Sequence, residues 1–122
     1  MATTVLDNQY FTSKFIYETD LQKEPLQNLT NGPAEIKSIA VFNGNQNGQD
    51  LFLKLYDTIE AVTGTSTQAD YIFEIDSNKD AVLHFPDGLT IENGLTARLV
   101  TPAALTGNTD PSSSIVVEIV YT

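Results

Sequence analysis

The sequence predicts an all-β protein folded as a single β-sandwich. No window of eleven or more residues carries an uninterrupted apolar stripe at helical spacing. Apolar and polar residues instead alternate with a period of two, in short runs separated by clusters of Gly, Asn, Asp and Pro. About eight such runs are typical of a jelly-roll or immunoglobulin-like sandwich rather than a meander.

The C-terminal run SSIVVEIVYT, residues 113–122, is the clearest strand, and its alternation suits a central position. A second strand is DLFLKLYD, whose Leu51, Leu53 and Leu55 point to one side. Six more strands are expected, at residues 12–18, 36–42, 71–75, 79–85, 89–91 and 95–101. The inward positions predicted in the other strands are Tyr71, Phe73, Ile75, Ala81, Leu83, Phe85, Leu95, Ala97, Leu99, Ile115, Val117, Ile119 and Tyr121.

Turn chemistry accounts for the two glycine-containing motifs in HFPDGLTIENGLTARLVT. Pro86-Asp87-Gly88 and Asn93-Gly94 combine a fixed proline φ, an Asp or Asn side chain that bonds local backbone, and a glycine able to adopt positive φ. Both are therefore predicted to be turns between strands. The longer polar loops, at residues 43–49, 63–69 and 101–113, are where a binding site would be expected.

The N-terminal third is less regular. Residues 1–33 are interpreted as an arm with an edge strand, within one domain whose sandwich core is residues 34–122; residues 19–33 form a connector that follows or leaves the sandwich edge. The aromatic cluster of this region suggests a subunit interface, with a covered sheet edge as the alternative. Alternation places Phe11, Phe15 and Tyr17 against the core and Tyr10 and Ile16 outside; these five residues are the candidate interface.

Charge and composition exclude several partner classes. The 122-residue chain has a net charge of −10 and a pI near 4.1, so a nucleic-acid partner is not expected. Its start lacks the pattern of a signal peptide, and it contains no apolar run of membrane-spanning length, so no membrane partner is expected either. Without cysteine, the fold is expected to rely on packing or association.

One short motif suggests a calcium-binding loop. Asp76-Ser77-Asn78-Lys79-Asp80 opens like a calcium loop, but Ala81 replaces the required glycine, Lys79 adds a positive charge and Asp87 replaces the final Glu. A polar hairpin turn is the preferred interpretation, so no metal or other cofactor is predicted, and calcium binding by this turn is left open. The run NGNQNGQD, residues 43–50, is a weaker candidate for a calcium-binding loop.

No set of catalytic residues can be assembled from the sequence. His84 is the only histidine, and alternation places it opposite Leu83 and Phe85, facing solvent. There is no G-x-S-x-G elbow, phosphate loop or dinucleotide fingerprint. The chain is therefore predicted not to be an enzyme.

Residues 36–122 contain IAVFN, DLFLKLYDT, DYIFEI, AVLHFPDGLTIENGLTARLVT and a closing IVVEIVYT. This succession resembles the small β-sandwich capsid decoration, or cement, proteins of tailed bacteriophages, especially cyanophages. The resemblance implies a virion protein on the outer surface of an expanded capsid that bridges subunits of the major capsid protein. It also implies a homo-oligomer, with contacts through the N-terminal arm and loops.

Two alternatives remain at this point. A tail- or fibre-associated virion module could use the same fold. A non-catalytic carbohydrate-binding module would need exposed aromatic side chains; the chain has no tryptophan, so Tyr56, Tyr71 and Tyr121 are the candidates for that role.

Overall fold

The computed structural model describes residues 3–7, 13–44, 49–63, 67–101, 109–111 and 114–122. Within these ranges the protein is all-β, as predicted, and no helix is long and apolar enough to cross a membrane. Eight strands are present: β1 Thr3–Asp7, β2 Lys14–Glu18, β3 Ala34–Phe42, β4 Leu51–Asp57, β5 Tyr71–Ile75, β6 Ala81–Ile91, β7 Leu95–Val100 and β8 Val116–Tyr121.

The strands form two antiparallel sheets that pack face to face. The larger sheet has five strands in the order β1-β2-β8-β3-β6, and the smaller has three in the order β5-β4-β7. Their facing sides supply one continuous hydrophobic cluster. The predicted β-sandwich is therefore confirmed, and the C-terminal strand β8 is central, as its alternation indicated.

The inward residues of the central strands are those that alternation predicts. Leu51, Leu53 and Leu55 of β4 are fully buried, and so are Leu95, Ala97 and Leu99 of β7. Ile115 and the inward residues of β8, which are Val117, Ile119 and Tyr121, are at most 4% exposed. Each fully buried aliphatic side chain contributes roughly 2 kcal/mol of hydrophobic free energy, so this layer dominates the favourable side of folding.

One predicted turn lies inside a strand. Residues 81–91 form a single strand, β6, so the separate strands expected at 79–85 and 89–91 are one element. Its pairing with β3 is interrupted, because His84 lies opposite Ser38 while Leu89 lies opposite Ile36. Pro86-Asp87-Gly88 therefore forms a bulge, with Gly88 at the expected positive φ of 81°. Bulges and turns favour the same residues, which explains the error.

The second predicted turn is confirmed in position but not in its backbone conformation. Asn93 and Gly94 connect β6 to β7, yet Gly94 is not among the positive-φ residues. The glycine allows a close approach instead, because a Cβ at this position would displace the Asn28 side-chain oxygen, which accepts a hydrogen bond from Gly32 N–H.

The N-terminal region contributes two strands. β1 was not predicted, and the side chains of β2 point to the opposite sides of the sheet from those predicted. β1 pairs with β2, and β2 pairs with β8 so that Ile16 lies opposite the inward Ile119. Ile16 is consequently buried at 1% exposure, whereas Tyr17 is 37% exposed. The predicted facing of Phe15, Ile16 and Tyr17 was wrong by one residue, which moves every side chain of a strand to the opposite face.

Residues 22–29 follow the free edge of β7. Leu26 and Ala97 exchange backbone hydrogen bonds of 2.9 and 3.2 Å, Leu99 N–H donates to the Gln22 carbonyl at 2.9 Å, and Leu29 N–H donates to the Leu95 carbonyl. Leu21, just before this segment, is 2% exposed within the core. The segment therefore covers a sheet edge that would otherwise present unpaired backbone groups.

Candidate interaction surface

The outer side of the five-stranded sheet is mostly apolar and faces solvent. We call the part of this surface on one side of the β6 bulge the outer face, and define it by Thr4, Phe15, Tyr17, Ser38, Ala40, Phe42, Val82, His84, Val116, Glu118 and Val120. Glu35 and Thr90 also point outward, but they lie beyond the bulge and are not part of the outer face. Tyr17, Phe42 and Val82 are 37%, 39% and 55% exposed. Most of the remaining side chains are partly buried, so apolar atoms reach solvent across several adjacent strands.

Strand register brings these residues together from distant parts of the sequence. Tyr17 lies opposite Glu118, Glu118 opposite Ala40, and Ala40 opposite Val82. A parallel row runs from Phe15 through Val120 and Ser38 to His84. Neighbouring side chains in such rows are about 5 Å apart, so they form one continuous surface.

Glu118 is the only carboxylate among those outer-face side chains, and it lies at their centre. It belongs to β8, the middle strand of the sheet, and is flanked along that strand by Val116 and Val120. No hydrogen bond or ion pair joins its side chain to another residue of the described part of the chain. The lysine of β3, Lys37, is instead paired with Glu35 at 3.3 Å.

The candidate interface residues predicted from the sequence fall into three groups. Phe15 and Tyr17 lie on the outer face, and Ile16 lies in the core. Tyr10 and Phe11 lie outside the described residues. The sequence did not identify four other outer-face residues: Phe42, Val82, Val116 and Val120. Alternation placed Val116 and Val120 on the side of β8 opposite the core, but it could not show which strands lie beside β8.

The outer side of β4 and β7, in the three-stranded sheet, is covered, in contrast to the outer face. Tyr56, Thr96, Arg98 and Val100 point away from the sandwich core but are at most 1% exposed. Segment 22–29 and the chain after β4 contribute to this cover: Gln27 exchanges side-chain hydrogen bonds of 3.3 Å with the backbone of Val62. We call this surface the covered face.

A buried polar cluster lies at the covered face. The Arg98 guanidinium donates from Nε to the Tyr56 hydroxyl at 2.8 Å and from Nη1 to the Lys23 carbonyl at 3.5 Å. Lys54 lies opposite Arg98 in the register and is only 2% exposed. Burial lowers the pKa of the Lys54 ammonium, and the charge of Arg98 lowers that pKa further.

Asp57 fixes the connection between β6 and β7. Its carboxylate accepts hydrogen bonds from the backbone N–H groups of Glu92, Asn93 and Gly94 at 2.9, 2.8 and 3.4 Å. Burial acts to raise the pKa of the Asp57 carboxyl, but these hydrogen bonds outweigh burial and hold the pKa below its usual range. The Asn93-Gly94 connection is therefore held by a charge from another strand.

An acidic group lies where β4 begins and β5 ends. Carboxylate oxygens of Asp50, Glu74 and Asp76 lie within 4.8 Å of one another, and all three residues are exposed. The cause is the register, because Leu51 pairs with Ile75 and so brings the residues beside them together. Exposed carboxylates meet in this way on many acidic proteins, and we assign no metal to them.

A turn is present at residues 76–79, as predicted, but it is not a hairpin turn, because it joins β5 of the smaller sheet to β6 of the larger one. Lys79 N–H donates to the Asp76 carbonyl at 3.3 Å, and Asn78 between them has a φ of 57°. The carboxylate of Asp76 is grouped with Asp50 and Glu74 rather than with Asp80.

The tyrosines considered for carbohydrate binding are not displayed in a groove. Tyr56 and Tyr121 are 1% and 4% exposed, and Tyr71 is packed against the hydrophobic core. His84 is exposed on the outer face, as predicted, and lies opposite Ser38.

Comparison with models of known protein families, with curated proteins and with solved structures finds no match for this chain.

Proposed function

We propose that the protein is a non-enzymatic structural component of a bacteriophage particle that decorates the outer surface of the expanded capsid. In this proposal the outer face attaches to the major capsid protein, and each copy bridges neighbouring capsid subunits. Binding only to the expanded shell stabilises that state by mass action. The observation that carries the proposal is an exposed apolar sheet face on a chain whose net charge is −10.

The size of the outer face suits the centre of an interface. Five strands spaced about 4.8 Å apart, each contributing two or three outward residues about 6.7 Å apart, give an area of roughly 300 to 500 Å². A stable interface buries roughly 800 Å² on each partner, with an apolar centre and a polar rim. In this proposal the surrounding loops and the N-terminal strand supply the rim.

The order of the strands supports a jelly roll rather than an immunoglobulin-like sandwich. Counting residues 22–29 as a strand beside β7, the larger sheet without β1 reads β2-β8-β3-β6, and the smaller reads segment 22–29, β7, β4, β5. Along the chain, successive strands then alternate between the sheets except at the β4–β5 hairpin. Such alternation is expected of a jelly roll, an architecture that occurs in viral capsid proteins and in lectins, and it supports the proposal.

Copy number in purified particles tests the proposal. Quantitative mass spectrometry, with the major capsid protein as the internal standard, should give a ratio near one or a simple fraction of it. A handful of copies for each particle would instead favour the tail- or fibre-associated alternative. Absence from the particle would contradict both proposals.

A pair of matched variants tests the attachment surface. Val82 on the outer face and Ile72 on the smaller sheet are both exposed aliphatic residues, at 55% and 48%. Val82→Ser should weaken cosedimentation with expanded capsid shells, because it removes apolar area from the proposed interface. Ile72→Ser should leave cosedimentation unchanged, and equal effects of the two substitutions would contradict attachment through the outer face.

A further inference from the structure

The carboxylate of Glu118 restricts what can cover the outer face. It lies between Val116 and Val120 along β8, and its neighbours across the strands are Tyr17 and Ala40. A partner that covers these apolar residues must also remove the Glu118 carboxylate from water. Burying an unpaired carboxylate is strongly unfavourable, whereas a hydrogen-bonded cation opposite it offsets that cost.

We infer that the outer face binds a different protein that presents an apolar surface with an arginine or lysine opposite Glu118, and that Glu118 prevents two copies of this chain from pairing through the same face. This inference rests on the proposed attachment role of the outer face and adds the chemistry of the partner. Charge complementarity is its basis, since Glu118 has no ion-pair partner among the described residues.

A second copy is disfavoured by the central position of Glu118. In a two-fold symmetric dimer, each copy uses the same patch, and residues near the axis meet their own equivalents. Stacking two outer faces about their centres would bring the two Glu118 carboxylates together in an apolar interface. A homo-oligomer of this protein would therefore form through other surfaces.

A charge-reversal experiment tests this inference with the protein itself. The variant Glu118→Arg retains Tyr17, Phe42 and Val82 and presents a cation at the centre of the same face, so it imitates the inferred partner. Sedimentation velocity should show that neither the native protein nor Glu118→Arg pairs through the outer face when alone. An equimolar mixture should form a heterodimer, with an apparent affinity more than about tenfold above self-association of either protein and weakening as salt is raised.

Two further variants assign the contact to the outer face. Tyr17→Ser in the native partner should abolish the heterodimer, because it removes an exposed aromatic residue beside Glu118. Glu74→Arg, which reverses an exposed carboxylate on the smaller sheet, should form no heterodimer with the native protein. Circular dichroism establishes that each variant is folded before sedimentation is interpreted.

Glu118→Gln keeps the size of the side chain and provides a second test if the arginine variant does not fold. Removing the charge should increase self-association in a manner that Val82→Ser reverses. The inference is overturned if the native protein already dimerises through this face, or if neither the mixture nor Glu118→Gln associates. Because these measurements involve no capsid, their failure is distinguishable from failure of the decoration proposal, which copy number in particles decides.

Discussion

The two outer sides of the sandwich differ in how far their outward-pointing side chains are exposed to solvent. On the three-stranded sheet, Tyr56 and Arg98 point outward yet are covered by other parts of the chain. On the five-stranded sheet, Tyr17 and Phe42 point outward and remain exposed. The covered face is thus part of the folded core, whereas the outer face keeps apolar side chains accessible to another molecule.

Truncation should produce the largest difference between regions. Removing residues 1–7 deletes only β1, the outermost strand, and should leave a folded protein with a modest loss of stability. Removing residues 1–20 also deletes β2 and the buried Ile16, so β8 loses its neighbour on one side. This longer truncation should abolish cooperative thermal unfolding. A normal unfolding transition after loss of residues 1–20 would show that the sandwich does not depend on β2.

A pair of tyrosine substitutions should give the next largest difference. Tyr56→Ala removes a large buried side chain and the acceptor of the Arg98 hydrogen bond, and should lower the free energy of unfolding by about 3 to 5 kcal/mol. Tyr17→Ala on the outer face should change it by less than about 1 kcal/mol. Urea denaturation monitored by circular dichroism measures both; similar losses would contradict the distinction between the two faces.

The inward side chains of the sandwich were easier to predict from the sequence than the buried side chains of the covered face. Alternation identified the inward Leu51, Leu53 and Leu55, because a single strand carries that signal. It could not reveal that Lys54 and Arg98 are also buried, since polar residues on the outward side of a strand ordinarily face water and their cover comes from segment 22–29 and other distant residues.

The candidate site was predictable only in part for a related reason. Tyr17 and Phe15 stood out as aromatic residues, but the outer face also needs Phe42 and Val82, which strand register places nearby from separate regions. The facing of β2 depended on a pairing with β8 across about 100 residues, as the register of Ile16 with Ile119 shows. Local alternation fixes the period of a strand, whereas its partners fix its phase.

Asp57 should make the covered side of the molecule sensitive to acid. Because its folded-state pKa lies below that of the unfolded chain, its contribution is present above the unfolded pKa, near 3.8, and is lost as pH falls through the folded pKa. Asp57→Asn should therefore lower stability at pH 7 by about 1 to 2 kcal/mol, after allowing for solvent screening, and its effect should shrink as pH falls through the folded-state pKa.

Urea midpoints measured from pH 7 to pH 2 test this prediction. Asp87→Asn, an exposed carboxylate in the β6 bulge, is the matched control and should leave the pH dependence of the native protein intact. A constant difference between native protein and Asp57→Asn at every pH would mean that the ionised carboxylate is not what holds residues 92–94.

The smallest effect on stability is expected at the outer face itself. Phe42→Ser should lower the free energy of unfolding by about 1 kcal/mol at most, because Phe42 is 39% exposed and lies outside the hydrophobic core cluster. The same substitution should reduce binding to expanded shells. Thermal unfolding and cosedimentation, measured on one preparation, separate the two effects; a large loss of stability would place Phe42 among the residues that hold the fold.

The order of the strands also determines when the protein can fold during its synthesis. β8, the middle strand of the larger sheet, leaves the ribosome after the seven other described strands, and it lies between β2 and β3. Until residue 121 is free, β2 and β3 lack the strand that joins them. Pairing of β2 and β3 with β8 must therefore wait until residues 116–121 have been synthesised, and pairing between such distant segments is slow compared with local contacts.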